Sequence, residues 1–245
     1  MAQNDTTVRE DDPLYVHDAV FEPIDTPTAV DEVARRIRQA IVLGVLRDGD
    51  RLPAETELAK RIGVGVMTVR AALSELRADG LLETHRGRLG GSFVASSDKA
   101  ILSAVVSTDP AELRALAEIL GGLEAQAARL AAERITDEEI QVLDELEAAL
   151  AVERDPAELG MLNNRFHLTI AAASGNRELV SMITQRRAEM YASAYSLSGV
   201  RLPLVLDGDA HPSIVDALRQ RDADLAANRM WEHHRATMVH VLAAM

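Results

Sequence analysis

The side chains best equipped for chemistry in this 245-residue sequence are histidines in its second half. Asn163 and His167 stand four residues apart, so on a helix they project from the same side. His211 opens a later segment, and His233 lies in the run Met230-Trp231-Glu232-His233-His234 of the last one. Three imidazoles and one amide oxygen form a donor set for a divalent ion such as zinc, nickel or manganese, with a coordination position left for a small molecule. A lone histidine is usually a packing or surface residue, and seven in this length is ordinary. The residues alone therefore leave both readings open, and His234 and His240 are read as surface or packing residues. A metal-dependent hydrolase on a helical bundle is the enzymatic alternative. No acid or base reads as placed beside the three histidines, which weighs against it. The chain has no cysteine, which excludes a disulfide framework, a thiolate zinc site, an iron–sulfur cluster and a cysteine nucleophile.

A second chemistry-bearing pattern lies earlier. Ala59, Gly63 and Val69 have the spacing of a helix–turn–helix: a small residue where two helices approach, a glycine in the tight turn, and a branched apolar residue that locks the second helix. The pattern falls on an expected helix, turn and helix, at about Ala54–Arg61, Gly63–Gly65 and Met67–Asp79. A hairpin follows, with strands at Leu81–Thr84 and Ser92–Ala95 and a basic tip, His85-Arg86-Gly87-Arg88. Arginines beside glycines at such a tip suit phosphate or minor-groove contact. Net charge is −13 overall, but it is uneven: −6 over residues 1–27, +1 over 28–98 and −8 over 99–245. The least acidic segment is the one with the DNA-reading pattern.

The elements that must position these residues are mostly helices. Apolar residues make up 47% of the chain and aromatics 3%, a mixture rich in Ala, Leu and Val that suits packed helices. Residues 1–27 are acidic, hold three prolines and read as a flexible arm, with a possible extended piece at Val20–Ile24. Val33, Ile37, Ile41 and Val42 form one stripe of a helix whose Arg35, Arg36 and Arg38 face outward. Gly80 suits the left-handed position after the recognition helix. The expected domains are a winged helix–turn–helix over 28–97, a linker over 98–108 and an all-helical antiparallel bundle over 109–245. Three bundle helices have marked starts: Asp109-Pro110, Thr136-Asp137-Glu138-Glu139 and Asp155-Pro156. A fourth is expected at Arg177–Ser198. After a break at Val200–Gly208, two more follow near His211–Gln220 and Asp222–Ala244.

At this level of detail the sequence resembles a known family. Asp48 to Val94, DGDRLPAETELAKRIGVGVMTVRAALSELRADGLLETHRGRLGGSFV, is similar to the DNA-binding domain of GntR-family transcriptional regulators. The resemblance implies a second helix that enters the major groove and a wing that follows the minor groove. It assigns DNA contact to Thr68 and Arg70, and to Arg86, Gly87 and Arg88 at the wing tip. Thr56 and Gly65-Val66 depart from the family at positions where many members carry basic contacts. From about Asp109 to Leu242 the chain resembles the FCD ligand-binding domain of the FadR subfamily. That resemblance implies a metal held by Asn163, His167, His211 and His233, with Asn163 in place of a family Asp, and a carboxylate effector. Leu120 stands where many members carry an arginine that reaches the effector.

These readings lead to one expectation: a homodimeric, cytoplasmic regulator that binds double-stranded operator DNA under control of a small-molecule effector, without membrane attachment. The alternatives are the hydrolase above and an interaction module built on a degenerate winged helix.

Overall fold

A computed structural model describes residues 27–87, 90–198 and 210–243. The expected arm and the break at Val200–Gly208 fall outside these residues, apart from Pro27. Ten helices and one hairpin are described: α1 (Ala29–Val42), α2 (Glu55–Ile62), α3 (Val66–Ala78), β1 (Leu82–His85), β2 (Gly91–Val94), α4 (Ser97–Ser103), α5 (Pro110–Arg134), α6 (Asp137–Val152), α7 (Pro156–Ala173), α8 (Arg177–Ser198), α9 (Ala210–Arg219) and α10 (Ala223–Ala243). The mainly α architecture, a small winged helix–turn–helix followed by a helical body, is the one the periodicity predicts.

The head is built by the residues that its pattern singles out. Ala59 and Val69 are buried where α2 and α3 cross, and Gly63 takes φ +83° between them, a left-handed angle that a Cβ would strain. Gly80 ends α3 in the same region at φ +72°. The hairpin is antiparallel, with Leu82 opposite Val94 and His85 opposite Gly91. Val33, Ile37, Ile41 and Val42 of α1 pack with Leu73, Leu76 and Leu81 in one core. Thr28 and Asp31 form a reciprocal capping box that starts α1.

Two local expectations are corrected. The stretch read as a linker folds in part as α4, because Ser96 caps it through Lys99 N and because Ala100 and Ile101 have a core to enter. Arg35 and Arg38 do not simply face solvent. Both are half-buried: Arg35 bonds Glu32 and reaches Gln185 of α8, while Arg38 bonds Asp79 and Ser103. Neighbouring elements cover that side of α1, which the helix's own periodicity does not reveal.

In the body, the three marked starts behave as their chemistry requires. Asp109 accepts from the backbone N–H of Ala111 and Asp155 from those of Ala157 and Glu158, each just behind the proline that opens the helix, and Thr136 and Glu139 cap each other. Such a cap contributes about 1 kcal/mol. Helices α5 and α10 pack closely. A Cβ at Gly121 would lie 2.8 Å from the His234 ring and 3.0 Å from Trp231, so glycine permits the approach. Phe166, Ile170, Ile214, Leu218 and Met230 form the core behind the histidines. The head and the body share an element, since Ala188 and Ala192 of α8 are buried in the head's core.

A buried histidine triad and a DNA-reading head

On the head, α3 presents its first turns outward: Met67 and Arg70 are exposed and Thr68 is half-buried. Arg70 donates to Glu55 of α2 through Nε (3.0 Å) and an Nη (2.8 Å), so a carboxylate already orients it. Arg51, Arg70 and Arg77 line one groove between α3 and the hairpin. Arg86 is exposed at the wing, and Gly87 takes φ +107° there. Arg88 lies outside the described residues. At the departures, Thr56 is exposed and Val66 half-buried, so neither offers a cation to DNA.

In the body, the structure brings His167, His211 and His233 together. One ring nitrogen from each lies within 4.8 Å of the others, and all three residues are buried. α7 carries Asn163 and His167, α9 carries His211 in its first turn, and α10 carries His233. Phe166 stacks on the His211 ring at 4.2 Å and holds its plane. His211 Nε2 lies 3.2 Å from His233 Nε2. A tetrahedral ion with metal–nitrogen bonds near 2.0–2.1 Å sets its ligand nitrogens roughly 3.3 Å apart. Asn163 is 2% exposed and its Oδ1 has no hydrogen-bond partner, a buried oxygen for which an ion would account. The donor set therefore fits a divalent cation.

Protonation favours the same fit. Burial, reinforced by Arg187, lowers the pKa of His167 to about 3, and burial with the neighbouring imidazoles lowers that of His233 to about 2. Both rings are neutral at neutral pH, the form that ligates metal. The outer nitrogen of His211 is anchored by a carboxylate, since its Nδ1 lies 2.9 Å from Glu147, and an Nδ1–H there leaves Nε2 with its lone pair inward. His167 Nδ1 lies 3.0 Å from Glu124 Oε2, but the angle is not that of a hydrogen bond and neither atom has a hydrogen-bond partner.

These carboxylates correct the expectation that no acid stands beside the histidines. Glu124 is 1% exposed, and its other oxygen accepts from Arg187 Nη1 at 2.6 Å. Burial opposes ionisation of Glu124, yet the charges of His167 and Arg187 would pull its carboxyl well below the ordinary carboxylate range. With His167 neutral, Arg187 is the charge that keeps it ionised. His234, read as a surface or packing residue, is a buried one, with Nδ1 3.5 Å from Glu124 Oε2. A signal for two of these groups was present. Glu124 interrupts the apolar stripe Leu113, Leu116, Leu120, Ala127, and Arg187 interrupts Leu179, Ile183, Met190, Ala194. A charge in such a stripe is either an error of reading or a buried functional group.

Beside the triad lies a cavity of about 50 Å³, lined by His167, His233, Asn163, Asn164, Arg187 and apolar side chains that include Leu120.

Comparison with known proteins agrees with both halves. Residues 29–94 match the family described as "Bacterial regulatory proteins, gntR family" and residues 115–236 match the FCD domain. The putative L-lactate dehydrogenase operon regulatory protein of Escherichia coli (strain K12) is 34% identical over 220 residues, covering 83% of this chain and 82% of the relative. The putative HTH-type transcriptional regulator RmpR of Mycobacterium gastri is 28% identical over 237 residues, covering 94% and 86%. The solved E. coli McbR/YncC structure shares the fold, with a TM-score of 0.53 at 20% identity, covering 88% of this chain and 98% of that one. With a reading head on one side and a histidine-lined FCD body on the other, the chain belongs to the GntR family and is a transcriptional regulator of the GntR/FCD type.

Proposed function

We propose that this regulator binds operator DNA as a homodimer in the cytoplasm, and that a small organic acid, held beside a divalent ion in the helical body, sets its operator affinity. The observation that carries the effector half is the buried triad with the unpartnered Asn163 oxygen, opening on a cavity. Asn163, His167, His211 and His233 would hold the ion, and the ion would supply a Lewis-acidic seat for an anionic oxygen. Asn163 brings no charge, so the site is weaker than one with Asp at that position. One relative is named for an L-lactate dehydrogenase operon, whose substrate is a small carboxylate; this supports the effector class.

On the DNA side, α3 enters the major groove with Thr68 and Arg70, and Arg86, Gly87 and Arg88 follow the minor groove. Glu55 holds Arg70 ready and must share it with the base or phosphate it meets. Coupling runs through α8, which lines the cavity with Arg187 and enters the head's core with Ala188 and Ala192. An effector that favours one placement of α8 biases the head.

The test measures metal content and thermal shift with zinc, nickel and manganese for the wild type and His167→Ala, together with a gel shift on operator selected from random duplexes. Stabilisation of the wild type alone and a salt-dependent duplex shift are expected. Equal metal shifts in both proteins would remove the ion from the proposal. Absence of any selected duplex would remove operator binding.

A further inference from the structure

The outer side of α3 is chemically lopsided. Met67, Arg70, Ala71 and Ser74 stand at i, i+3, i+4 and i+7, and all four are exposed. Arg70 and Ser74 carry the hydrogen-bonding groups of this face, and its leading end has none. Gly65 has no side chain, and Val64 and Val66 pack against the head's core. Met67 stands out from that core, 70% exposed. The fold does not impose so bare a tip. Gly65 caps α3 at φ −69°, an angle open to any residue, and a Cβ there would meet only Thr68 Oγ1, at 3.7 Å. A serine or asparagine, the usual helix caps, would fit.

Recognition helices touch base edges with their N-terminal residues, so Met67 reaches the groove floor early. A thioether donates nothing and accepts weakly. Set against an amino group or carbonyl of a base, it would strip water from that group and return no hydrogen bond. Among the four bases, the major-groove edge offers one apolar group, the C5 methyl of thymine. A flexible, polarisable side chain follows such a methyl closely. Arg70 fixes the position, since its Nη1 lies 3.6 Å from Met67 Sδ. Three residues of helix advance about 4.5 Å, close to the roughly 3.4 Å between stacked bases, so the two side chains meet neighbouring base pairs.

We propose that Met67 is a specificity-determining residue that reads the C5 methyl of a thymine next to the base pair met by Arg70. This rests on the reading of α3 as the major-groove helix, and adds to it a base that no hydrogen bond selects.

The test uses the full-length protein and the operator selected from random duplexes. Each thymine of one half-site is replaced in turn by deoxyuridine, which removes the methyl and keeps every hydrogen-bonding group. Affinity is read by fluorescence anisotropy at one salt concentration. At one thymine, beside the position whose preference Arg70→Ala relaxes, uracil should weaken wild-type binding about fourfold, the worth of one buried methyl group. Met67→Ala should bind the thymine and uracil operators equally. Met67→Leu, which keeps an apolar tip, should still distinguish them. The side chain is exposed, so both variants should melt with the wild type. A selected operator indifferent to uracil overturns the proposal, as does a uracil penalty that persists undiminished in Met67→Ala. In either case the salt-dependent duplex shift stands, and with it the regulator reading. A pool that yields no duplex removes the major-groove reading and this proposal together.

Discussion

At the residue scale, the deciding group is the buried pair Glu124–Arg187, with His167, His234 and Asn164 around it. A buried pair need not stabilise the fold, but breaking it leaves an uncompensated charge, at about 3–5 kcal/mol. Glu124→Gln should cost that much in urea unfolding, and the double variant Glu124→Gln/Arg187→Met should recover most of it. A double variant less stable than either single would show that the pair is not the coupled unit described. Stability should also follow pH. In metal-free protein, His167 and His233 titrate near pH 3 and 2, whereas the unfolded chain protonates histidine near 6.5. Below about pH 6.5 the unfolded state binds more protons, so stability is full above that pH and falls below it, on the order of 1 kcal/mol per pH unit per histidine. Urea unfolding at pH 7.5 and 5 with chelator checks this, and equal midpoints would mean that the rings are not buried neutral.

At the element scale, α3 and the wing divide the work of DNA binding. Arg70 leaves the first turns of α3 toward solvent, held by Glu55. Arg70→Ala should cost roughly 1–3 kcal/mol on the selected operator and relax its sequence preference. Arg86→Ala and Arg88→Ala should weaken all duplexes alike and lower the salt slope by about 0.9 for each lost phosphate contact. Fluorescence anisotropy across a salt series separates these outcomes. A triple variant that binds as the wild type does would exclude this face. Thr56 and Val66 supply no charge, so the operator should differ from that of family members with basic residues there.

At the scale of the whole molecule, α8 joins the two halves. The core of the head includes Ala188 and Ala192 of α8 and Ala100 and Ile101 of α4, so a fragment of residues 1–98, which lacks all four, leaves apolar surface of α1 uncovered. That fragment should melt well below the head in the full chain, should be monomeric by sedimentation and should bind the operator poorly. The full chain should sediment as a dimer and select a palindrome whose half-sites lie about 10 base pairs apart or a multiple of that. A fragment that dimerises and binds as the full chain does would move the dimer interface into the head.

What the sequence determined by itself was whatever local chemistry decides. Helix starts at Asp109, Thr136 and Asp155 depend on side chains within three residues of the backbone they cap. The turn at Gly63 depends on one left-handed angle, and the shared face of Asn163 and His167 depends on helical pitch. The meeting of His167, His211 and His233 was legible as spacing only through a family resemblance, because 44 residues separate the first two. Only the tertiary structure decided what surrounds them. Glu124, Glu147, Arg187 and His234 come from four helices, and no local rule says which face of α5 or α8 meets α7. The same holds for α4 and for Arg35 and Arg38, whose environment is set by packing between elements. A charge within an apolar stripe marks a residue to be explained, but its partner is chosen by the fold.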